Sequence, residues 1–381
     1  MRHPPLPLAI ALATLVAGVG TPTLADDPAP TNEELVAAVE SWWDPLVSRG
    51  DPAPLREAFD LRAFAKSASG DLPLAEVHQR ALESGIESGM AASLDALAEQ
   101  LVALWRGGWF AVGPVTREGD VMDVEVALYS THSDSINFAR WRCHRVGGAI
   151  RWIDFHEMAN GTWMRTRLTG ITGLLLLGRI GPTDVQLCRA FGEAAQQRQW
   201  KEVRRLHGML PAVLQDHRAI LPTARLAAHT LADRDWADAL RERYVAALGD
   251  DETLVFGDID HAAMFDDLEG ALAATRRLGG LVRDHAIVRY KASQLALRLD
   301  RIDLARELAQ SATEDAPDFF PAFAMKVACF AREKKFAEAV TAVTEVERAF
   351  PARKFDWLDT AQYGDLPRSP EFFAKFKYGI R

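Results

Sequence analysis

Two pairs of residues near the C-terminal end of the chain repeat at one interval. Pro317 and Pro351 form one pair, and Ala305 and Ala339 form the other. The interval, about 34 residues, is typical of helix–turn–helix repeats, in which one hairpin buries its apolar face only when a neighbour stacks on it. The repeated residues therefore predict an all-α solenoid in this part of the chain.

Helical hairpins extend outwards from these pairs. They are predicted at about 183–215, 217–249, 252–280, 283–316 and 318–350. A bulky residue followed three positions later by a small one marks each second helix, because a small side chain lets two helix backbones approach closely. The marks are Trp200/Val203, Trp236/Ala239, Leu268/Ala271, Ile302/Ala305 and Phe336/Ala339. The spacing from Trp200 to Trp236 differs from that between Trp236 and Leu268, whereas the last two spacings are equal. The early hairpins are therefore predicted to be irregular.

The array resembles the tetratricopeptide-repeat (TPR) family. The matching small residues and closing prolines are Ser293, Ala305, Ala312, Pro317, Ala339 and Pro351. The large aromatic residue that the family carries early in the first helix is Arg289 in the fourth hairpin, whereas Phe323 supplies it in the fifth. The resemblance implies a TPR-like solenoid that binds a protein or a peptide.

The same resemblance places a binding surface on the concave side of the fourth hairpin. The predicted binding residues are Tyr290, Lys291, Gln294 and Arg298. The paired Lys and Asn residues with which some repeat proteins hold a C-terminal carboxylate are absent from these positions. A mostly apolar groove fits an amphipathic helix or an extended peptide, and it fits equally well a groove filled by the protein's own chain.

Residues 351–381 are predicted to cap the end of the solenoid. Ser369 and Pro370 form a good helix start. The apolar face of this helix is predicted to consist of Phe372, Phe373 and Phe376. A helix that binds a partner is the alternative interpretation.

Residues 1–25 have the layout of a cleavable secretory signal peptide. Arg2 and His3 give a basic start, an apolar run follows from Leu6 to Val19, and cleavage is expected after Ala25. The apolar run is too short to span a bilayer comfortably. We therefore expect a protein that is secreted across the inner membrane, to the periplasm if the source is bacterial, and that does not span the membrane.

Composition and motifs narrow the possible functions. The chain carries 53 acidic against 44 basic residues, a formal net charge of −9, which disfavours nucleic acid because phosphate binding needs a clustered basic surface. Cys143, Cys188 and Cys329 are too far apart in sequence to suggest a metal site. A P-loop, a nucleophile elbow and a dinucleotide fingerprint are all missing. The sequence predicts no cofactor, metal ligand or catalytic residue, and it favours a non-enzymatic protein.

The segment 26–165 changes from a helical to a strand period. Helical periods run from Asn32 to about Trp105, where Gly85 and Gly89 are expected to divide the last stretch. The residues expected to share one strand face are Met122, Val124, Val126 and Leu128. Helices followed by an antiparallel meander predict an α+β domain, with helices packed on a curved four-stranded sheet. Residues 166–182, which are rich in glycine, are predicted to be a linker.

The closing hairpin, FARWRCHRVGGAIRWIDFHEM, and the element order resemble the NTF2-like or cystatin-like group of cone-shaped α+β domains. Trp152, Ile153 and Asp154 stand where many members carry a Trp–hydrophobic–Asp strand. The resemblance covers about residues 31–165. It implies a pocket at the mouth of the cone, which some members use for catalysis and others for binding or association.

An alternative site follows from this hairpin. Asp154 and His156 are two residues apart on a strand, with Trp152 beside them, so all three are expected on one face; Arg140 lies on the neighbouring strand. An Asp–His pair in a pocket could act as a general base and its orienting partner. Cross-strand Arg–Asp pairing on a half-exposed face would explain the same residues structurally.

Two functions remain open from the sequence. The favoured one is a non-enzymatic adaptor that binds another protein in the cell envelope through its TPR-like repeats. The alternative is a protein that binds, or hydrolyses, a small molecule or a lipid in the pocket of the NTF2-like domain.

Overall fold

The computed structural model describes residues 30–51, 53–70, 72, 74–105, 108–131, 134–158, 162–248, 253–353, 355–358 and 361–376. The predicted signal peptide lies outside these ranges. The chain divides into two compact units, one ending at Thr253 and the other beginning at Leu254. None of the helices in these ranges has both the length and the apolar character that a membrane span requires.

Helices open the first unit. They are α1 (Asn32–Arg49), α2 (Ala53–Ala58), α3 (Leu61–Gly70) and α4 (Glu76–Trp105). A capping box starts α1, since Thr31 Oγ1 accepts from the N–H of Glu34 and the Glu34 carboxylate accepts from the N–H of Thr31. Contrary to expectation, α4 is not divided, because it runs through Gly85 and Gly89 without a break.

An antiparallel sheet follows, with its strands paired in sequence order. The strands are β1 (Trp109–Glu118), β2 (Val121–Ser130), β3 (Ser135–Val146), β4 (Ala149–Glu157) and β5 (Thr162–Trp163). Gly147 and Gly148, both with positive φ, form the tight turn between β3 and β4. The predicted α+β fold with a four-stranded meander is confirmed, and β5 adds a two-residue strand at its edge.

The main core lies between α1 and one face of this sheet. Trp42 packs against Trp141 with ring centroids 4.8 Å apart, and Trp152 meets Trp141 edge-on at 5.6 Å. The four β2 residues predicted to share a face are all buried here: Met122, Val124, Val126 and Leu128. Large aromatic side chains each remove about 150–250 Å² from water, so this tryptophan cluster supplies much of the domain's stabilisation.

The segment predicted to be a linker is mostly helical. Helix α5 (Met164–Leu176) occupies it and packs on α3. Its glycines serve close packing rather than flexibility: a Cβ at Gly170 would lie 2.6 Å from the ring of His217, and one at Gly173 would lie 3.2 Å from Leu72. Residues 166–176 are therefore helical, and the linker and the domain limits drawn from sequence stay a prediction.

The five predicted helical hairpins are all present. In the first unit they are α6 (Pro182–Gln196) with α7 (Trp200–Met209), followed by the short α8 (Ala212–Gln215), and α9 (Leu221–Thr230) with α10 (Arg234–Leu248). The third hairpin consists of α11 (Thr253–Met264) and α12 (Leu268–Leu281). In the second unit, α13 (Ala286–Arg298) and α14 (Ile302–Asp315) form the fourth hairpin, and α15 (Phe320–Arg332) and α16 (Phe336–Ala349) form the fifth. The predicted array of helical hairpins is confirmed.

Every hairpin turns on the same backbone motif. The residues with positive φ at these turns are Arg198, Ala232, Asp266, Asp300 and Lys334, which are evenly spaced at the repeat interval of the two proline and alanine pairs. In each turn the N–H of this residue donates three residues back and the next N–H donates five residues back, as Asp300 does to Leu297 and Arg301 to Ala296. This is the Schellman pattern of a helix end, and it recurs without a change of period.

The small residues that allow close helix crossing follow the same period. They are Val203, Ala237, Ala271, Ala305 and Ala339, all with 0% exposure. The predicted irregularity of the early hairpins was therefore wrong, because the second hairpin is marked by Arg234 and Ala237, and Ala239 is exposed. Trp236 is a misleading mark because it packs elsewhere, with its ring 5.8 Å from that of His207.

The shared turn leads to a prediction at Ala232. Its φ of 51° lies in the left-handed region, which is unfavourable for an L-residue with a Cβ. Replacing Ala232 with glycine is expected to raise the free energy of unfolding by about 0.5–1 kcal/mol. Ala239→Gly, in the exposed interior of α10, is the matched control and should lower it by a similar amount. Urea unfolding of both variants measures the effect; destabilisation by Ala232→Gly would contradict the assigned turn.

The C-terminal segment packs onto the last hairpin. Short 3₁₀ turns at Phe355–Leu358, Ala361–Tyr363 and Leu366–Arg368 lead to α17 (Pro370–Phe376), which contacts α16. Ser369 Oγ accepts from the N–H of Phe372 at 3.2 Å, so the helix begins where the sequence predicted. Phe372 is fully buried, but Phe373 is exposed, and the predicted three-phenylalanine face was wrong for Phe373.

Candidate functional site

The predicted binding residue Tyr290 lies inside the second unit rather than on an open groove. It is only 5% exposed, and its ring meets Phe319 edge-on with centroids 5.3 Å apart. Gln294 Nε2 donates to the Tyr290 hydroxyl at 2.7 Å. The protein's own chain therefore covers this position, which is one of the two possibilities that the sequence left open.

The neighbouring predicted residues reach the surface. Lys291 and Gln294 are partly exposed, and the side chain of Arg298 is 55% exposed. They follow one another at intervals of three and four residues on α13, so they share one face of the helix. The structure thus brings Lys291, Gln294 and Arg298 together on a polar surface and leaves Tyr290 beneath it.

An exposed ion pair recurs along this surface. Arg298 Nη2 lies 3.3 Å from Asp266 Oδ1, and one repeat later Arg332 Nη2 lies 3.5 Å from Asp300 Oδ1. In both pairs the aspartate is the positive-φ residue of the preceding turn. Exposed pairs of this kind stabilise a protein by less than about 1 kcal/mol, so either arginine can exchange its carboxylate for one on a partner at little cost.

A β-bulge divides the alternative site into two faces. The pairing of β3 with β4 shifts between Arg142, opposite Asp154, and Cys143, opposite Trp152. Trp152 therefore faces the tryptophan core, while Asp154 and His156 lie on the other face. The prediction that all three share a face was wrong, because the bulge adds one residue to β4 and reverses the alternation. Arg140 is on the neighbouring strand, as predicted, and lies opposite His156.

Asp154 is held by α5. Its Oδ1 accepts from the backbone N–H groups of Phe155 and Arg165 at 2.9 and 3.3 Å, and its Oδ2 lies 3.4 Å from Arg165 Nε. Burial raises the pKa of Asp154 to about 6, against the opposing effect of these contacts. The carboxylate therefore ties β4 to α5, and Arg165 extends the link to Ser67 Oγ of α3 at 2.8 Å.

The rest of this face is a paired polar surface. Arg142 donates to both carboxylate oxygens of Asp123 at 2.7 Å, and this hydrogen bonding raises the pKa of Arg142. The Arg142 guanidinium also lies 4.4 Å from the ring centroid of Trp163, whose ring packs against His156 at 5.4 Å. These contacts correspond to the structural explanation, in which cross-strand Arg–Asp pairing stabilises the sheet.

Two residues of this surface carry no signal in the sequence. Arg165 and Trp163 follow the last predicted strand, where no periodic pattern marks a contact with the sheet.

Across the same face, His144 Nε2 lies 3.0 Å from Asp60 Oδ2, and this hydrogen bond lowers the pKa of Asp60. Asp60 also caps α3 by accepting from the N–H of Ala63 at 2.9 Å.

The cysteines and the potential metal ligands show no reactive arrangement within the described ranges. Cys143, Cys188 and Cys329 are free thiols there. Burial raises the pKa of Cys143 and of Cys329 to about 12 and that of Cys188 to about 11, which disfavours the reactive thiolate. Across the residues that the structure describes, His, Cys, Asp and Glu side chains form no group of three or more that could hold a metal ion.

No protein-family model matches this sequence, and no curated protein matches it. Similar solved structures include the crystal structure of MamA protein, 14% identical with a TM-score of 0.38 over 45% of this chain and 93% of that one. A MamA RS-1 ArsTM double mutant is 12% identical with a TM-score of 0.39 over 46% and 99%. YrrB, described as a TPR protein with an unusual peptide-binding site, is 13% identical with a TM-score of 0.32 over 43% and 79%. The array of helical hairpins in this chain is defined by its repeated turns and its buried helix crossings.

Proposed function

We propose that the protein is a secreted, non-enzymatic adaptor that binds another protein or a peptide through its TPR-like hairpins. Its location in the cell envelope, periplasmic in a bacterium, rests on the signal-like layout of residues 1–25. The acidic overall charge favours a protein partner over nucleic acid.

The observation that carries this proposal is the constant repeat of the hairpins. Positive-φ turns recur at one interval from Arg198 to Lys334, and a fully buried small residue recurs at the same interval. Within the second unit, the fixed interval places corresponding side chains of α13 and α15 at equivalent positions, which is how repeat proteins build extended binding surfaces. The charges around Asp154, by contrast, are engaged with Arg165 and the backbone.

The surface we assign to the partner lies on α13 and α15. Lys291, Gln294 and Arg298 form one face of α13, and Arg332 occupies the position of Arg298 one repeat later. Arg298 and Arg332 are exposed, and their ion pairs are exchangeable, so carboxylates on the partner can replace Asp266 and Asp300. Tyr290 contributes indirectly, because its hydroxyl accepts the hydrogen bond that orients Gln294.

A capture assay tests this proposal. The full-length chain is immobilised, and proteins retained from an envelope extract are compared between wild type and a Gln294→Ala/Arg298→Ala double variant. We expect the double variant to retain its partner at least about tenfold less well, because two truncations that each cost about 1 kcal/mol together exceed the roughly 1.4 kcal/mol that corresponds to a factor of ten. Circular dichroism confirms that the helical content is unchanged.

The matched control is a double variant with substitutions in the alternative site on the sheet. Asp154→Asn/His156→Gln keeps a polar side chain of similar size at both positions while it removes the carboxylate and the imidazole, and it should leave capture unchanged. If this control loses the retained partner while the Gln294/Arg298 variant keeps it, the sheet face is the binding site and the proposal is wrong. Capture that survives in both double variants would also contradict the assignment to α13.

A further inference from the structure

Two histidines occupy the same place in alternate hairpins. His217 precedes the first helix of the second hairpin, His285 precedes that of the fourth, and the two are separated by exactly twice the repeat interval. Each lies within one of the two compact units, so the same feature occurs once in each.

The two side chains make the same hydrogen bond. Nδ1 of His217 accepts from the N–H of Ala219 at 3.2 Å, and Nδ1 of His285 accepts from the N–H of Ile287 at 3.4 Å. An imidazole nitrogen accepts only when it carries no proton, so both rings are neutral in this arrangement and carry their proton on Nε2. His285 thereby satisfies a backbone donor that the start of α13 leaves without a partner inside the helix, and His217 does the same for a donor in the turn before α9.

The backbone of each histidine supports the same turn. The carbonyl of His217 accepts from the N–H groups of Ile220 and Leu221 at 2.8 and 3.0 Å. The carbonyl of His285 accepts from those of Val288 and Arg289 at 2.9 and 3.2 Å. Loss of the side-chain bond therefore acts on the turn of residues 217–221 that leads into α9 in one unit, and on the first turn of α13 in the other.

The charges around His285 favour opposite protonation states. Arg289 donates to Asp284 at 2.9 Å and also forms an ion pair with Asp315. Asp315 favours the charged imidazolium, whereas Arg289 opposes it. Burial is the largest effect, and it lowers the pKa of His285 to about 4.

The surroundings of His217 also disfavour a charge. Its ring packs against Gly170 of α5, where a Cβ would lie 2.6 Å from the ring. Burial and the adjacent Arg218 lower the pKa of His217. Nearby, Asp216 and Arg243 lie 3.4 Å apart as an ion pair, and His207 Nε2 lies 3.3 Å from the carbonyl of Gln215.

We propose that His217 and His285 form an acid-sensitive device, in which protonation of Nδ1 breaks the two corresponding hydrogen bonds and opens the turn that leads into α9 and the first turn of α13. The proton comes from solvent and converts the acceptor into a donor that points at another N–H. The device depends on the packing around the two histidines and not on a partner, so it stands whether or not the adaptor function does.

The direction of the pH effect follows from linkage. An unfolded histidine takes up its proton near pH 6.5, whereas these folded sites resist it, so stability is complete above pH 6.5 and is lost as the pH falls. For His285, with a pKa of about 4, the folding equilibrium constant should fall about 100-fold between pH 7 and pH 4 from this group alone.

Urea unfolding at pH 7.5 to 4 tests the device in the full chain. Asparagine accepts a hydrogen bond at the start of a helix at every pH, so His217→Asn/His285→Asn should flatten the loss of stability between pH 6.5 and pH 4. His78→Asn, at an exposed site, is the matched control and should follow the wild type. A double variant that loses stability as steeply as the wild type would overturn the proposal.

A second measurement on the wild type does not depend on the variants folding. Ring ¹⁵N shifts should show an unprotonated Nδ1 in both histidines at pH 6, and amide-exchange protection at Ile287 and Val288 should fall as His285 titrates. Titration of both rings near pH 6.5, with protection unchanged, would contradict the device.

Discussion

Replacing Phe372 with alanine is expected to lower the free energy of unfolding of the second unit by about 3–5 kcal/mol. The side chain is 0% exposed, and its ring packs against those of Phe355 and Phe376 with centroids 5.9 and 4.7 Å apart. Alanine loses the transfer free energy of the ring and leaves a cavity between α17 and α16. Urea unfolding of the full chain, followed by circular dichroism, measures the loss.

Phe373 offers a matched control on the same helix. It is 47% exposed, so Phe373→Ala removes little buried surface and should cost less than about 1 kcal/mol. Equal losses at the two positions would contradict the packing of α17 on the last hairpin. A small loss at both would show that residues 370–376 are a free arm, which is the partner-binding alternative considered from the sequence.

The α+β half was predictable where side chains alternate and unpredictable where the backbone departs from that pattern. The strict alternation of Met122, Val124 and Val126 defines the buried face of β2, and the structure confirms it. The bulge opposite Arg142 leaves no trace in the sequence pattern, yet it moves Asp154 to the face opposite Trp152. A shift of one residue reverses every later side chain of a strand, so the predicted pocket lost one of its members.

Glycine content was a poor guide to the segment after the sheet. Gly170 and Gly173 suggested a linker, because glycine commonly marks turns and loops. In the structure both lie on α5, where the missing Cβ makes room for His217 and Leu72. Sequence alone does not distinguish these two uses of glycine, since the distinction depends on which residues approach it from distant parts of the chain.

The helical half was predictable from its period but not from its bulky residues. The repeat interval seen in the last two hairpins also separates the positive-φ turns inside all five hairpins. The mark at Trp236 failed because a tryptophan can fill a gap from several positions on a helix, whereas the crossing point tolerates only a small side chain. Tyr290 shows the same limit, since its burial against Phe319 depends on the connection between two hairpins.

Replacing Ala237 with leucine is expected to lower the free energy of unfolding by about 1–3 kcal/mol. Ala237 is 0% exposed, and it occupies in α10 the position that Ala271, Ala305 and Ala339 occupy in later hairpins. The larger side chain must enter a close helix crossing that has no space for it. Ala239→Leu, two residues away on the exposed side of the same helix, should change stability by less than about 0.5 kcal/mol.

The difference between these two leucine variants tests the constant register of the repeats, which is the observation that carries the proposed function. It is measured as the difference in urea midpoint between Ala237→Leu and Ala239→Leu under identical conditions. Our account predicts a lower midpoint for Ala237→Leu and a midpoint near that of the wild type for Ala239→Leu. The reverse order would restore the irregular register that the sequence suggested and would contradict the repeat described here.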